Sequence, residues 1–334
     1  MNKLIATYQY FQTWSWVQKL LAVVVAMLVS TFIFRLLTPE LAPVQTAVVT
    51  NTNRGAVNLQ NIEFRGNYPN PPDTMSTATV EYTDVSEELL QNLLTAFSIP
   101  PTESEGIWTG PQYQIVEVEE PFLYVVSQTR FSEVPTRVGQ GISTQLAIAE
   151  ATKIIDGLYS FGPKPEILLN EIIVTTHEDT PADGGESAHE TVTIPFAYTY
   201  EGVPIYIEQE TNYAAYIVLN SDYALEKAEF RPYTMQATRE KSYSTIKGTE
   251  ALGRINQNEA GIVFSFYKGP RTADFSNISS GVLYNAQIEY RADLTTNTLT
   301  PYYNFVGIIE NAAGYDIETE IVTPALKTDF SSNQ

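Results

Sequence analysis

Two histidines are the only side chains of this sequence whose ordinary charge change falls between pH 5 and 8. They lie in one short stretch, His177 beside Glu178 and His189 beside Glu190. Imidazoles with neighbouring carboxylates are a zinc donor set, so His177 and His189 are the metal-ligating candidates of the chain. Their spacing is not that of an HExxH helix, which sets two imidazoles one turn apart. Residues 177–190, HEDTPADGGESAHE, show no periodicity and predict a solvated surface loop, in which these are ordinary exposed residues. Asp179 and Asp183 could offer oxygen to calcium, but the twelve-residue EF-hand loop is missing. The pairs Asp222/Glu226 and Glu250/Arg254 have the four-residue spacing of helix-surface charges. No GxSxG, SxxK, Walker or GxGxxG pattern occurs, so catalysis by an activated serine or on a cradled phosphate has no motif here. The reading is therefore of a protein that is not an enzyme and carries no cofactor.

Aromatic side chains are the better binding candidates. Trp108 stands in the Gly/Pro-rich GIWTGPQY, and Tyr302, Tyr303 and Phe305 follow a Thr-Pro step. Projecting outward together, they would form a partner surface; as alternate members of strands they would line a core.

Those residues need elements to hold them. The most distinctive is an apolar run at 20–37, LLAVVVAMLVSTFIFRLL, whose one charged residue is Arg35. Its 18 residues span about 27 Å as a helix, close to a bilayer's hydrocarbon core. Lys3 and Lys19 before it, and aromatics such as Trp14 and Trp16, predict an N-terminus kept in the cytoplasm. A cleaved signal peptide is the rival, but Glu40-Leu41-Ala42 lacks the small residues of a cleavage site. The expectation is a single-pass inner-membrane protein with its C-terminal domain outside the cytoplasm and the lipid bilayer as one partner. Ala22, Ala26 and Ser30 recur every four residues and would let a second helix pack closely.

Composition narrows the partners. The formal net charge is −20 and there is no cysteine. Removing the first 37 residues leaves 16 basic and 39 acidic side chains, a net of −23. Nucleic acid, which needs a positive footprint, is excluded as a partner, and no disulfide framework exists.

After residue 37 the pattern predicts a stalk at 38–56 and a first α+β unit at 57–175, with helices over EELLQNLLTAFSI from Glu87 and STQLAIAEATKIIDGL from Ser143. Leu146, Ile148, Ala151, Ile154 and Ile155 would form the second helix's apolar face. A loop at 176–190 leads to a strand-dense α+β unit at 191–326, with a short helix near Thr249, and 327–334 reads as a flexible C-terminus preceded, at the other end, by a cytoplasmic or interfacial 1–19. The expected fold class is α+β: a transmembrane helix, then two antiparallel-sheet-plus-helix units.

The last unit carries EGVPIYIEQETNYAAYIVLN, TIKGTEALGRINQ, YNAQIEYRAD and LTPYYNFVGIIENAAGYDIETEIVTPAL. With Gly202-Val203-Pro204-Ile205, Ala251-Leu252, Tyr290 and Leu299-Thr300-Pro301-Tyr302 at the matching places, it resembles the extracytoplasmic regulatory proteins YycI and YycH and their PepSY-like modules over about 190–326. The resemblance implies PepSY-like units, no catalysis, and action on a membrane sensor histidine kinase through protein contacts. The alternatives are a structural or assembly subunit of the cell envelope, self-associating or not; an envelope hydrolase or metal enzyme using His177 and His189; and an ectodomain binding a small molecule or glycan in an aromatic cleft that includes Trp108.

Overall fold

A computed structural model describes residues 42–43, 59, 61–118, 122–128, 141–179, 187–207, 213–266 and 278–329. The first strands are β1 (Ala42–Pro43), β2 (Ile62–Phe64) and the long β3 (Thr74–Asp84). Helix α1 (Ser86–Ala96) leads to a meander of β4 (Glu103–Ser104), β5 (Ile107–Thr109), β6 (Tyr113–Val118) and β7 (Phe122–Ser127). Helix α2 (Thr144–Leu158) precedes β8 (Glu166–Ile167), a 3-10 turn at Leu169–Glu171, and β9 (Ile173–Asp179). Then come β10 (Ser187–Tyr200), β11 (Val203–Ile207), β12 (Ala215–Asn220), β13 (Leu225–Phe230) and β14 (Tyr233–Ser244). Helix α3 (Gly248–Asn256) is followed by β15 (Gly261–Phe266), β16 (Ile278–Asp293), β17 (Thr298–Asn311), β18 (Asp316–Pro324) and β19 (Thr328–Asp329).

The strands assemble into two joined ladders. The first is antiparallel, in the order β9–β10–β12–β13–β7–β6–β5–β4. Alternate side chains of such a strand face one side. Val192, Ile194 and Phe196 of β10, Ile217 and Leu219 of β12, and Val125 of β7 therefore point together into one core. Helices α1 and α2 cover it. In α1 the buried positions are Leu89, Leu93 and Leu94. In α2 they are Ala147, Ala151, Ile155 and Leu158, spaced one helical stripe apart. The expected α2 face is turned by one residue, since Leu146 is exposed. Asn92 of α1 donates to the Leu158 carbonyl at 2.7 Å and ties the two helices together.

The second ladder centres on β16. One edge of β16 pairs with β17. The other takes two parallel strands, β2 beside residues 281–283 and β11 beside 290–292. Beyond β17 lie β18 with β15, and β3 with β14. Helix α3 covers one face with Ala251 and Ile255, against Tyr303, Phe305, Ile309 and Ile321. At Gly248 a Cβ would stand 2.3 Å from the Tyr68 ring, so only glycine lets α3 start this close. Asn256 accepts from the Ile62 backbone N–H at 2.9 Å and donates to its carbonyl at 3.0 Å, which pins β2 to α3.

Strand β10 belongs to both ladders. Its residues 187–197 pair with β8, β9 and β12, and its last three pair with β11. The turn into β11 is the two-residue kind, with Glu201 at φ 53° and Gly202 at φ 78°. The pairings close no ring among the described strands.

This corrects the expected fold. Two PepSY-like, antiparallel-sheet-plus-helix units do not form; the described chain is a large mixed β-sheet with three α-helices. Strands from the expected first unit, β2 and β3, join β14, β16 and β17, while β7 and β9 pair with β13 and β10 of the expected second. The physical reason is edge pairing. Long strands such as β16 and β17 leave backbone groups open on both sides, and strands distant in sequence fill them.

The expected membrane placement is corrected as well. Among the described residues no helix is long and apolar enough to cross a membrane, so a single-pass, signal-anchored inner-membrane protein is not supported. That expectation rested on the hydropathy of one run and on the charges and aromatics beside it. The 20–37 segment, with Ala22, Ala26 and Ser30, lies outside the described residues.

Candidate functional site

The aromatic partner surface expected from the sequence is core. Trp108 is 5% exposed, packed beneath the first ladder, and Tyr302, Tyr303 and Phe305 are at 0%. The Tyr303 hydroxyl donates to the Ile246 carbonyl at 2.9 Å, and Phe305 meets Phe64 edge-on at 5.4 Å. The loop expected at 177–190 is in part a hairpin: β9 and β10 pair from Ser187↔Asp179 onward, which sets His177 opposite His189 in register.

The surface offers a different concavity. Strand β3 ends at Asp84, and α1 begins two residues later because Asp84 Oδ1 accepts from the Ser86 backbone N–H at 2.8 Å and from its hydroxyl at 2.6 Å. Those bonds hold the Asp84 carboxyl below its usual value. The first turn of α1 then presents Glu87 and Glu88 where helix N–H groups favour negative charge. Opposite lies the chain leaving α2, with the half-buried Phe161. Two adjoining hollows, of about 390 and 300 Å³, share Glu88 and Phe161. Glu87 lines the first, and Glu81 and Asp84 the second; no Lys, Arg or His lines either among the described residues. Together they make an open groove with four carboxylates and one aromatic wall, suited to a cation on an extended chain.

A second polar constellation is buried. On the face of β16 away from α3, Glu289 and Arg291 stand two residues apart and both are at 0% exposure. Arg291 Nε donates to Glu289 Oε1 at 2.6 Å, with Nη2 2.5 Å from the same oxygen. Asn304, on β17, donates to Glu289 Oε2 at 2.8 Å and to Glu320 Oε2 at 3.1 Å. The Arg291 guanidinium lies 5.3 Å over the Tyr206 ring of β11, a cation–π contact. The Tyr206 hydroxyl reaches Glu171 of the 3-10 turn at 3.4 Å. Burial raises the carboxyls of Glu289 and Glu171. Arg291 opposes the rise at Glu289, and donation from Tyr213, Tyr206 and Gln287 opposes it at Glu171, where the charge of Glu320 adds to it. This seam joins β11, β16, β17, β18 and the turn before β9. Its carboxylates are spent on protein donors, and no group of three or more His, Cys, Asp and Glu side chains able to hold a metal ion occurs among the described residues.

The sequence reading missed both constellations. The groove had a signal in the EYTDVSEE text of 81–88, four acids at a strand-to-helix junction. The seam had almost none, because IEYRAD alternates like any strand with one wet face. No protein-family description matches this chain, and no curated protein matches it either.

Proposed function

We propose that this chain is a non-catalytic protein-binding module whose acid-lined groove around Glu88 receives a basic, extended segment of a partner. The groove carries the reading: four carboxylates and Phe161 converge on two adjoining hollows with no counter-charge in their lining. The overall charge of −20 supports it by drawing cationic partners in. Aliphatic stems of Lys or Arg can lie on the Phe161 ring while their heads meet Glu87, Glu88 and Glu81. A regulator of a sensor kinase and an assembly subunit both fall within this class.

The test is fluorescence-anisotropy titration of the full chain with an unstructured Lys-rich peptide and a Glu-rich counterpart. The triple variant Glu81→Gln/Glu87→Gln/Glu88→Gln weakens binding of the basic peptide by about tenfold, and added salt weakens the wild type. The control triple variant Glu310→Gln/Asp316→Asn/Glu318→Gln changes the net charge equally at the far end of β17 and β18. Equal loss in both triple variants would reduce the effect to bulk charge and sink the groove.

A further inference from the structure

Helices α1 and α2 lie on one face of the first ladder, and the other face carries no helix among the described residues. Register fixes which residues stand there. Ile107 of β5 pairs with Val116 of β6, Val116 with Tyr124 of β7, Tyr124 with Glu229 of β13, and Glu229 with Tyr216 of β12. Residues directly opposite in a ladder share a face, so these five form one row across it. Residues two apart along a strand share that face too, and the next row sets Val126 of β7 opposite Lys227 of β13. Ile107 and Val126 are exposed, while Val116, Tyr124 and Tyr216 are half-buried. An apolar and aromatic sheet face left open in this way marks an interaction surface.

The charges select the occupant. The two rows hold one cation, Lys227, and one carboxylate, Glu229, on the same strand. On a chain whose net charge is −20, this patch is therefore neutral, and a second copy meets no excess of like charge here. The Tyr216 hydroxyl donates to Glu229 and holds it on the face, while Lys227 makes no ion pair among the described residues. We propose that this open face of the first ladder joins a second copy of the chain in an isologous, face-to-face dimer. A two-fold axis running across β13 between residues 227 and 229 reverses the strand direction, so that Lys227 of each copy lies against the partner's Glu229. The same rotation lays Tyr124 over the partner's Val126. An axis along the strand would set Lys227 on the partner's Lys227, so charge selects one arrangement of the two. Packed sheets lie about 10 Å apart, a gap that Lys and Glu side chains bridge between them. The face is separate from the groove around Glu88, which is lined by other residues, so either site can fail without the other.

The experiment is sedimentation velocity of the full chain over a dilution series reaching about 100 µM, in about 0.15 M salt, where charges more than ~8 Å apart are screened. The wild type passes from monomer to dimer as concentration rises. Lys227→Glu and Glu229→Lys each set like charges together across the interface and raise the dissociation constant about tenfold or more. The exchange Lys227→Glu/Glu229→Lys restores the dimer, a rescue that a self-complementary interface gives and a loss of folding does not. Val126→Asp sets a charge against the partner's Tyr124 and abolishes the dimer. It keeps the circular dichroism of the wild type, because Val126 is exposed in the monomer. A wild type that stays monomeric at every concentration, a dimer indifferent to Val126→Asp, or an exchange that fails to rescue would overturn the proposal.

Discussion

The two ladders answer the same burial problem in opposite ways. The first ladder packs residues of β5, β6, β7, β10, β12 and β13 with α1 and α2 into one apolar core that includes Leu89 and Phe230. The second puts one apolar face under α3 and buries on the other face an ion pair and an amide, joined to the half-buried Glu320, that reach across three strands. Apolar packing is non-directional and accepts small shifts. A buried charge pair accepts none, because each unmade bond leaves a desolvated group behind. The first ladder is thus held by area, and the second also by matching. A one-residue slip of β16 against β17 would carry Glu289 and Arg291 to the α3 face, where Tyr303 and Phe305 offer them nothing.

The largest effect expected from this contrast is at Arg291. Arg291→Met strands Glu289 in a dry site and costs about 3–5 kcal/mol by chemical denaturation, whereas the pair Glu289→Leu/Arg291→Met costs far less than the single change. A double variant as unstable as the single one would mean that packing, not charge matching, holds the second ladder. Next is Leu93→Ala in α1, which empties a site at 0% exposure and costs about 2–5 kcal/mol with no dependence on pH.

The smallest effect is the one that separates the ladders most clearly. Burial raises the Glu171 carboxyl in the folded chain, so its contribution to stability is fully present below its unfolded value of about 4.3 and is lost as pH rises through the folded one. Tyr206, Tyr213, Gln287 and Glu320 face it, and no cation is among the groups that shift it. Glu171→Gln carries no charge at any pH. Its melting temperature relative to wild type therefore rises between pH 4 and pH 7, while that of Leu93→Ala relative to wild type stays level. A gap for Glu171→Gln that does not move with pH would show that this carboxyl is not strained by burial.

Much of the first ladder was legible in the sequence and much of the second was not. Leucines at 89, 93 and 94 announce α1, and the helix after Ser143 is equally plain. The strand text of β6, β7, β10 and β12 alternates as strands do. Alternation shows which residues share a face, but it does not name the neighbouring strand. It gave no hint that β3 pairs with β14, as in Ser244↔Thr74 and Tyr233↔Asp84. Nor does it tell a wet face from one that another element covers, so Glu289 and Arg291 read as solvent residues until Tyr206 and the 3-10 turn close over them. The aromatic residues misled for the same reason: Tyr302 and Tyr303 point to opposite faces, and both faces of β17 are covered there. The hairpin of His177 and His189 read as a loop because strands polar on both faces carry no hydrophobic period.

Strand β10 has a mechanical consequence. Part of a load tending to separate the two ladders travels along its unbroken backbone, from the β9 and β12 bonds at one end to the β11 bonds at the other. Those bonds lie across the direction of pull and are strained together in shear instead of opening one after another. Parting the ladders along β10 therefore loads those bonds together, as it loads the rivets of a lap joint.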